Sequence, residues 1–178
     1  MKKLFLSFLG TAGLLAFSIP NASAQKLTDP EIAHVAVTAN KIDIDYAEIA
    51  QKRSRNQDVE KFAKTMASDH KAVIDQAVAL VTKLKVTPKD NGVSQKLMTD
   101  ADKTKKMLES KSGAAFDKAY IDNEVAYHKA VIAAVENLLI AQAQNAELKS
   151  LLQKVDPTLK AHLAHAEMIQ SNLNGHAK

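Results

Sequence analysis

The feature that constrains this chain most is a long segment without helix-breaking residues. Neither proline nor glycine occurs between Glu31 and Thr87. The segment is rich in residues with high helix propensity, and its apolar residues recur every three or four positions, as on one face of a helix. The sequence shows no sustained two-residue alternation of the kind that half-buried strands require. The pattern therefore predicts an all-α protein.

Five helical segments are predicted from the proline and glycine positions and from polar turns. Thr28 and Glu31 have the spacing of a capping box, and Pro30 suits the first turn of a helix. Asp156–Pro157 predicts a kink or a restart within the last segment, with Asp156 as its cap. The predicted segments run from Thr28 to a hinge at Ser54–Gln57, from this hinge to Pro88, over about Val93–Ser110, over about Ala114–Gln144, and from Ala146 to Gly175.

The lengths of these segments indicate how they pack. The first two form one long hairpin, the last two form another, and the short third segment connects them. Four long helices with one long connection predict a ferritin-like four-helix bundle with a shorter crossover helix. A plain up-and-down bundle, in which the third segment is a fifth member, is the alternative.

The N-terminal residues have the three parts of a secretory signal peptide. Lys2 and Lys3 are followed by the uncharged apolar run Leu4–Ile19, and Ala22–Ala24 has the small residues of a cleavage site. We therefore expect residues 1–24 to be a signal peptide and residues 25–178 to form a single helical-bundle domain. Such a leader predicts secretion into the periplasm.

Charge and hydropathy limit the partners of the mature chain. Without Lys2 and Lys3, 22 basic residues face 20 acidic residues, a net charge of +2 that does not favour nucleic acid. No segment after the leader is long and apolar enough to span a membrane. The lysines of the third helix predict either a solvated face or a peripheral contact with an anionic component of the envelope.

Three histidines occupy apolar stripes that the helical pattern directs towards the core. His70 lies 14 residues after the hinge at Asn56, and Asp43 lies 13 before it. His128 and His162 lie 17 residues on either side of the turn at Asn145. Because each residue adds about 1.5 Å to a helix, the members of each pair are level. We therefore expect one buried polar layer.

Two hypotheses account for this layer, since buried polar groups are costly unless they are paired. In one, it is a hydrogen-bond network that fixes helix register in a structural, binding or envelope-stress protein. In the other, it binds a transition metal (zinc, copper or iron) for buffering or sensing. The candidate ligands are His70, His128, His162, Asp43 and Glu124.

Di-iron enzyme chemistry is disfavoured by the residues before these histidines. Ferritin-like di-metal sites use two Glu-x-x-His pairs. The residues three positions before His70, His128 and His162 are alanine, valine and leucine. No catalytic residue is therefore assigned. His165, three positions after His162, is either a fourth ligand or a surface residue.

Three ordered motifs resemble one bacterial family. They are Phe62-Ala63 with Met66 and Asp69-His70, then Ser112–Ile121 followed by His128, and finally Pro157–Leu163. Together they resemble the secreted, ferritin-like family classed as domain of unknown function four-one-four-two, over about Asp29 to Leu173.

The resemblance implies a fold, secretion and a recurring trio of histidines, but no activity and no cofactor. Asp43 departs from the glutamate that is more frequent in the family at this position. Members are often labelled outer membrane proteins, yet this sequence lacks the alternating strands that such a label requires. We therefore predict a periplasmic protein.

Overall fold

A computed structural model describes residues 26–175, and these form five helices without any strand. The all-α prediction is confirmed. The predicted signal peptide lies outside the described residues. The helices are α1 (Asp29–Arg53), α2 (Gln57–Leu84), α3 (Gly92–Glu109), α4, which comprises Gly113–Ala134, a π-helical segment Val135–Leu139 and a last turn Ile140–Gln142, and α5 (Ala146–Gly175).

Side-chain caps explain where these helices begin. The Thr28 backbone N–H donates to Glu31 Oε2 at 2.9 Å, as the capping-box spacing predicts. Asn56 Oδ1 accepts from the first N–H groups of α2, and Asn145 Oδ1 does the same for α5. Asn56 and Asn145, from which the histidine positions were counted, therefore cap the starts of α2 and α5.

At Asp156–Pro157, where a kink or a restart is predicted, α5 neither restarts nor ends, so the predicted restart is wrong and the kink stays a prediction. Asp156 accepts from Lys160 one turn later at 2.7 Å and does not cap a new helix. Pro157 leaves the carbonyl of Gln153 without its helical donor. Gln153 and Pro157 are both exposed, so water can bind the Gln153 carbonyl. The helix therefore continues through Pro157.

The helices pack as two antiparallel pairs, α1 with α2 and α4 with α5, while α3 lies along α1. Two clusters of buried apolar side chains fill the bundle. The first lies on the side of the α1–α2 hinge and includes Tyr46, Phe62 and Tyr120. The second lies on the side of the α4–α5 turn and includes Ile32 and Leu152. His70, His128 and His162 fall between these two clusters on α2, α4 and α5.

Candidate metal centre

Three imidazoles from three helices meet in the middle of the bundle. His70 of α2, His128 of α4 and His162 of α5 are 3%, 1% and 6% exposed. Their ring centroids are 5.7 Å (His70–His128), 5.3 Å (His70–His162) and 5.5 Å (His128–His162) apart. One ligand nitrogen from each ring lies within 4.8 Å of the others. The buried layer that residue counting predicts is therefore present.

Two fully buried carboxyl groups adjoin this triangle. Asp43 Oδ2 of α1 lies 3.3 Å from His70 Nε2 and 3.7 Å from His128 Nε2. Glu124 Oε2, one turn before His128 on α4, lies 3.5 Å from His128 Nδ1. All five predicted ligands are thus within one layer, and Asp43, Glu124 and His128 form a second group of ligand atoms within 4.8 Å.

Each imidazole has one nitrogen next to a hydrogen-bond acceptor. His70 Nδ1 is 2.7 Å from Asn40 Oδ1, whose amide nitrogen already donates to the Ala36 carbonyl. His128 Nδ1 is 3.0 Å from the Glu124 backbone carbonyl. His162 Nε2 is 3.0 Å from Asp69 Oδ2. Since these partners accept, the ring proton is assigned to the nitrogen that faces them in all three histidines.

The opposite nitrogen of each ring has a free lone pair. These atoms are His70 Nε2, His128 Nε2 and His162 Nδ1, and none has a hydrogen-bond partner within residues 26–175. Both carboxyl oxygens of Asp43 are also buried, and neither accepts a hydrogen bond from the described residues. A neutral imidazole that donates with one nitrogen and offers the other is the form that binds metals.

Burial determines the charge of these groups. Desolvation, followed by the neighbouring histidines, holds the pKa of His70 well below its ordinary value, and desolvation lowers the pKa of His128 to about 4. Desolvation also lowers the pKa of His162. It raises the pKa of Asp43 to about 8 and, together with the Asp43 charge, raises that of Glu124 well above its ordinary value. At neutral pH, the layer without a cation is therefore largely uncharged.

Other polar groups near the layer are placed by α1 and α4. The Tyr127 hydroxyl donates to the Ala39 carbonyl at 2.8 Å, and its ring meets the Tyr46 ring edge-on at 5.5 Å. Asn40 was missed by the sequence analysis, although it lies three residues before Asp43 and therefore on the same helical face. The three-residue spacing between Asn40 and Asp43 was the sequence signal that could have identified Asn40 as part of the layer.

His165 does not join the three-histidine cluster. Its ring is half-buried and packs edge-on against Phe62, with centroids 5.2 Å apart. This position one turn along α5 suits an amphipathic side chain at the border of the apolar core.

The lysine-rich helix α3 is mostly paired with acids. Lys103 lies 3.0 Å from Asp100, and Lys105 lies 3.0 Å from Asp102 and 3.3 Å from Asp45. These pairs reduce the net positive field of the helix. Contact with the envelope through α3 stays a prediction.

The fold and the layer define a class: an all-α bundle with a buried histidine and carboxyl cluster at mid-height. The chain belongs to the family described as Domain of unknown function (DUF4142), whose profile matches residues 16–169. This match confirms the family resemblance seen in the three motifs. The label "ferritin-like" stays a prediction.

A solved structure with a similar fold is titled "CopM in the Cu(II)-bound form". It has a TM-score of 0.62 and 16% sequence identity, and the match covers 82% of this chain and 98% of that chain. The likeness shows the fold alone. No curated protein matches the sequence. Between residues 26 and 175, no helix has the length and hydropathy needed to cross a membrane.

Proposed function

We propose that this protein binds a transition-metal ion through His70, His128 and His162, and that it buffers or senses that metal. The observation that carries the proposal is the set of three lone-pair nitrogens, each with its tautomer fixed by an acceptor on the far side of the ring. Such outer partners orient the ligand and increase its basicity. Asp43 is a further candidate donor, because its Oδ2 lies 3.3 Å from His70 Nε2 and 3.7 Å from His128 Nε2.

The unpaired atoms argue against a layer that only fixes helix register. A structural network stabilises a core when every member is satisfied, and a partly satisfied network is worse than apolar packing. Here His128 Nε2 and His162 Nδ1 have no hydrogen-bond partner among the described residues, and His70 Nε2 lies 3.3 Å from Asp43 Oδ2, which can donate only when it is protonated. A cation bound by the three imidazoles would take up their lone pairs.

The donor chemistry narrows the choice of metal. Three imidazoles with a carboxylate suit zinc and copper(II), and imidazole also binds iron. Copper is the first metal to test, because a protein of similar fold is recorded in a Cu(II)-bound form. A periplasmic location, which follows from the predicted signal peptide, would place the protein where it meets metals that enter the envelope.

Metal binding would change the protonation of the carboxyl group in the layer and leave that of the imidazoles as it is. A divalent cation favours ionised carboxylates and neutral imidazoles. The imidazoles are already neutral because burial lowers their pKa values. Asp43, whose pKa is raised to about 8, would release its proton on binding.

The test is metal content, measured by mass spectrometry on the untagged mature chain after periplasmic expression. We expect about one metal ion per chain in the wild type and its loss in the His70→Ala/His128→Ala variant. His165→Ala is the matched control, because it removes a neighbouring histidine outside the cluster. Circular dichroism would establish that all three chains are folded.

A thermal shift gives the second readout. A metal that binds only the folded state, at about 100 times its Kd, adds about 2.7 kcal/mol of stability. Copper, zinc and iron(II) would each be added to chelator-treated protein. Wild-type protein without bound metal, with no shift from any of the three, would refute the proposal and leave the layer as core architecture.

A further inference from the structure

Glu124 has no part in the metal position between the three histidines, although its carboxyl group is as deeply buried as that of Asp43. Both side chains are 0% exposed. None of their four oxygens has a hydrogen-bond partner within residues 26–175. Among the same residues, the only basic groups at ion-pair distance from either carboxyl are His70 and His128. The burial of a second carboxyl group in this layer is therefore unexplained by the three-histidine position.

His128 lies between the two carboxyl groups. Its Nε2 is 3.7 Å from Asp43 Oδ2, and its Nδ1 is 3.5 Å from Glu124 Oε2. One ligand atom from each of Asp43, Glu124 and His128 lies within 4.8 Å of the other two. A cation at about 2.0–2.2 Å from its ligands separates any two of them by at most about 4.4 Å. The three groups can therefore reach one ion by moving a few tenths of an ångström.

Charge balance favours a cation at this place. A divalent cation held by three neutral imidazoles and one carboxylate leaves one uncompensated positive charge in the core, which is costly. Between Asp43 and Glu124, both ionised, the charges of the ion and its ligands cancel. Two bidentate carboxylates and one ring nitrogen offer up to five donor atoms, most of them oxygen.

We propose that Asp43, Glu124 and His128 form a second cation position, an alternative to the three-histidine position, and that it takes manganese(II). Carboxylate oxygens suit manganese(II), magnesium and calcium, whereas a cluster of imidazoles suits copper and zinc. The ring nitrogen of His128 disfavours magnesium and calcium, which take oxygen ligands. A neutral imidazole has one lone pair, so His128 serves one position at a time. The chain therefore holds one cation, at the position that matches its chemistry.

The test is titration of chelator-treated wild-type protein with manganese(II), followed by the electron paramagnetic resonance signal of the free ion. We expect one manganese(II) per chain. Glu124→Gln should weaken this binding at least about tenfold, since the loss of even an outer partner of a ligand costs about 10–100-fold. The same variant should change copper(II) affinity by less than about threefold, because Glu124 lies outside the three-histidine position.

His162→Ala should have the opposite effect, with copper(II) affinity lost and manganese(II) affinity kept. Glu136→Gln is the matched control, because Glu136 is an exposed glutamate on α4, and neither affinity should change. Circular dichroism would establish that each variant is folded. Glu124→Leu, an apolar side chain of similar size, takes the place of Glu124→Gln if the amide variant does not fold.

Competition tests the sharing of His128. Zinc(II) added to the manganese-loaded protein should release one manganese(II) for each zinc(II) bound. A wild type that binds no manganese(II), an unchanged manganese(II) affinity in Glu124→Gln and Glu124→Leu, or both metals bound together on one chain would overturn the inference. Manganese(II) binding without any copper or zinc binding would refute the three-histidine position and support this one.

Discussion

Replacing Asp43 by asparagine should stabilise the metal-free protein at neutral and alkaline pH. Asp43 is fully buried and has no cationic partner among the residues that the structure describes. Burial raises its pKa from 3.8 to about 8. Asparagine has nearly the same shape and does not titrate, so Asp43→Asn removes the free-energy cost of keeping the buried carboxyl group protonated at neutral pH and of burying its charge at higher pH.

The sign of the effect follows from proton linkage. Below pH 3.8 the carboxyl group is protonated in both the folded and the unfolded state, so it contributes no pH dependence. Above that pH the unfolded state loses its proton while the folded state keeps it up to about pH 8. The free energy of unfolding therefore falls as pH rises through this window, by about 1.4 kcal/mol per pH unit.

The histidines restrict where this slope can be measured. Their pKa values are lowered in the folded state, so they destabilise it only as pH falls below about 6.5, where unfolded imidazoles take up protons. Between about pH 6.5 and pH 8 the carboxyl groups act alone. Over these 1.5 units Asp43 should cost the wild type about 2 kcal/mol that Asp43→Asn does not lose.

The assay is urea unfolding at several pH values in this window, with a chelator present. Glu48→Gln is the control, because Glu48 is an exposed carboxylate on the same helix, and its change should stay within about 0.5 kcal/mol. Asp43→Asn should also bind metal more weakly than the wild type. A pH slope equal to that of the wild type would show that Asp43 is already ionised in the folded protein, and the argument would fail.

Two further substitutions test the groups around the layer. Asn40→Ala removes the acceptor at 2.7 Å from His70 Nδ1 and should weaken metal binding about 10- to 100-fold, measured by chelator competition, while Asn40→Asp should restore it. Tyr127→Phe removes the 2.8 Å hydrogen bond to the Ala39 carbonyl and should lower the free energy of unfolding by about 0.5–1.5 kcal/mol in urea, because this bond is lost while the carbonyl keeps its donor within α1. An unchanged metal affinity in Asn40→Ala, or an unchanged stability in Tyr127→Phe, would contradict the assigned contact.

The position of the histidine layer could be predicted from sequence because helix rise is nearly constant. Counting from Asn56 placed Asp43 level with His70, and counting from Asn145 placed His128 level with His162. Both asparagines cap helices in the structure. The count works only because no insertion lies between the caps and the layer on α1 and α2. On α4 the π-helical segment lies between the turn and His128 without removing the histidine from the layer.

Other features could not be read from periodicity. A π-helical segment alters a few hydrogen bonds and leaves the apolar pattern nearly unchanged, so it has no sequence signature of its own. An apolar cavity beside the histidine layer is lined by Ala36, Ala77 and Ala134 from three helices, and a pattern along one helix does not show that such residues face one another. The restart predicted at Pro157 does not occur, because Leu152 and Leu159 bury their side chains in the same cluster on either side of it and this packing outweighs the local effect of proline.

The layer is better explained by a ligand than by the demands of the fold. Each buried polar atom without a hydrogen bond costs about 1–3 kcal/mol, and a whole domain is stable by only about 5–15 kcal/mol. His128 Nε2 and His162 Nδ1 therefore carry a combined cost of about 2–6 kcal/mol, a large part of the total stability, whereas His70 Nε2 can accept from a protonated Asp43 at 3.3 Å. Leucine or isoleucine at these positions would avoid that cost and extend the two apolar clusters into one. A cation bound at the nitrogens would satisfy these atoms and return part of that free energy on binding. Occupancy of the layer should therefore control how stable the protein is.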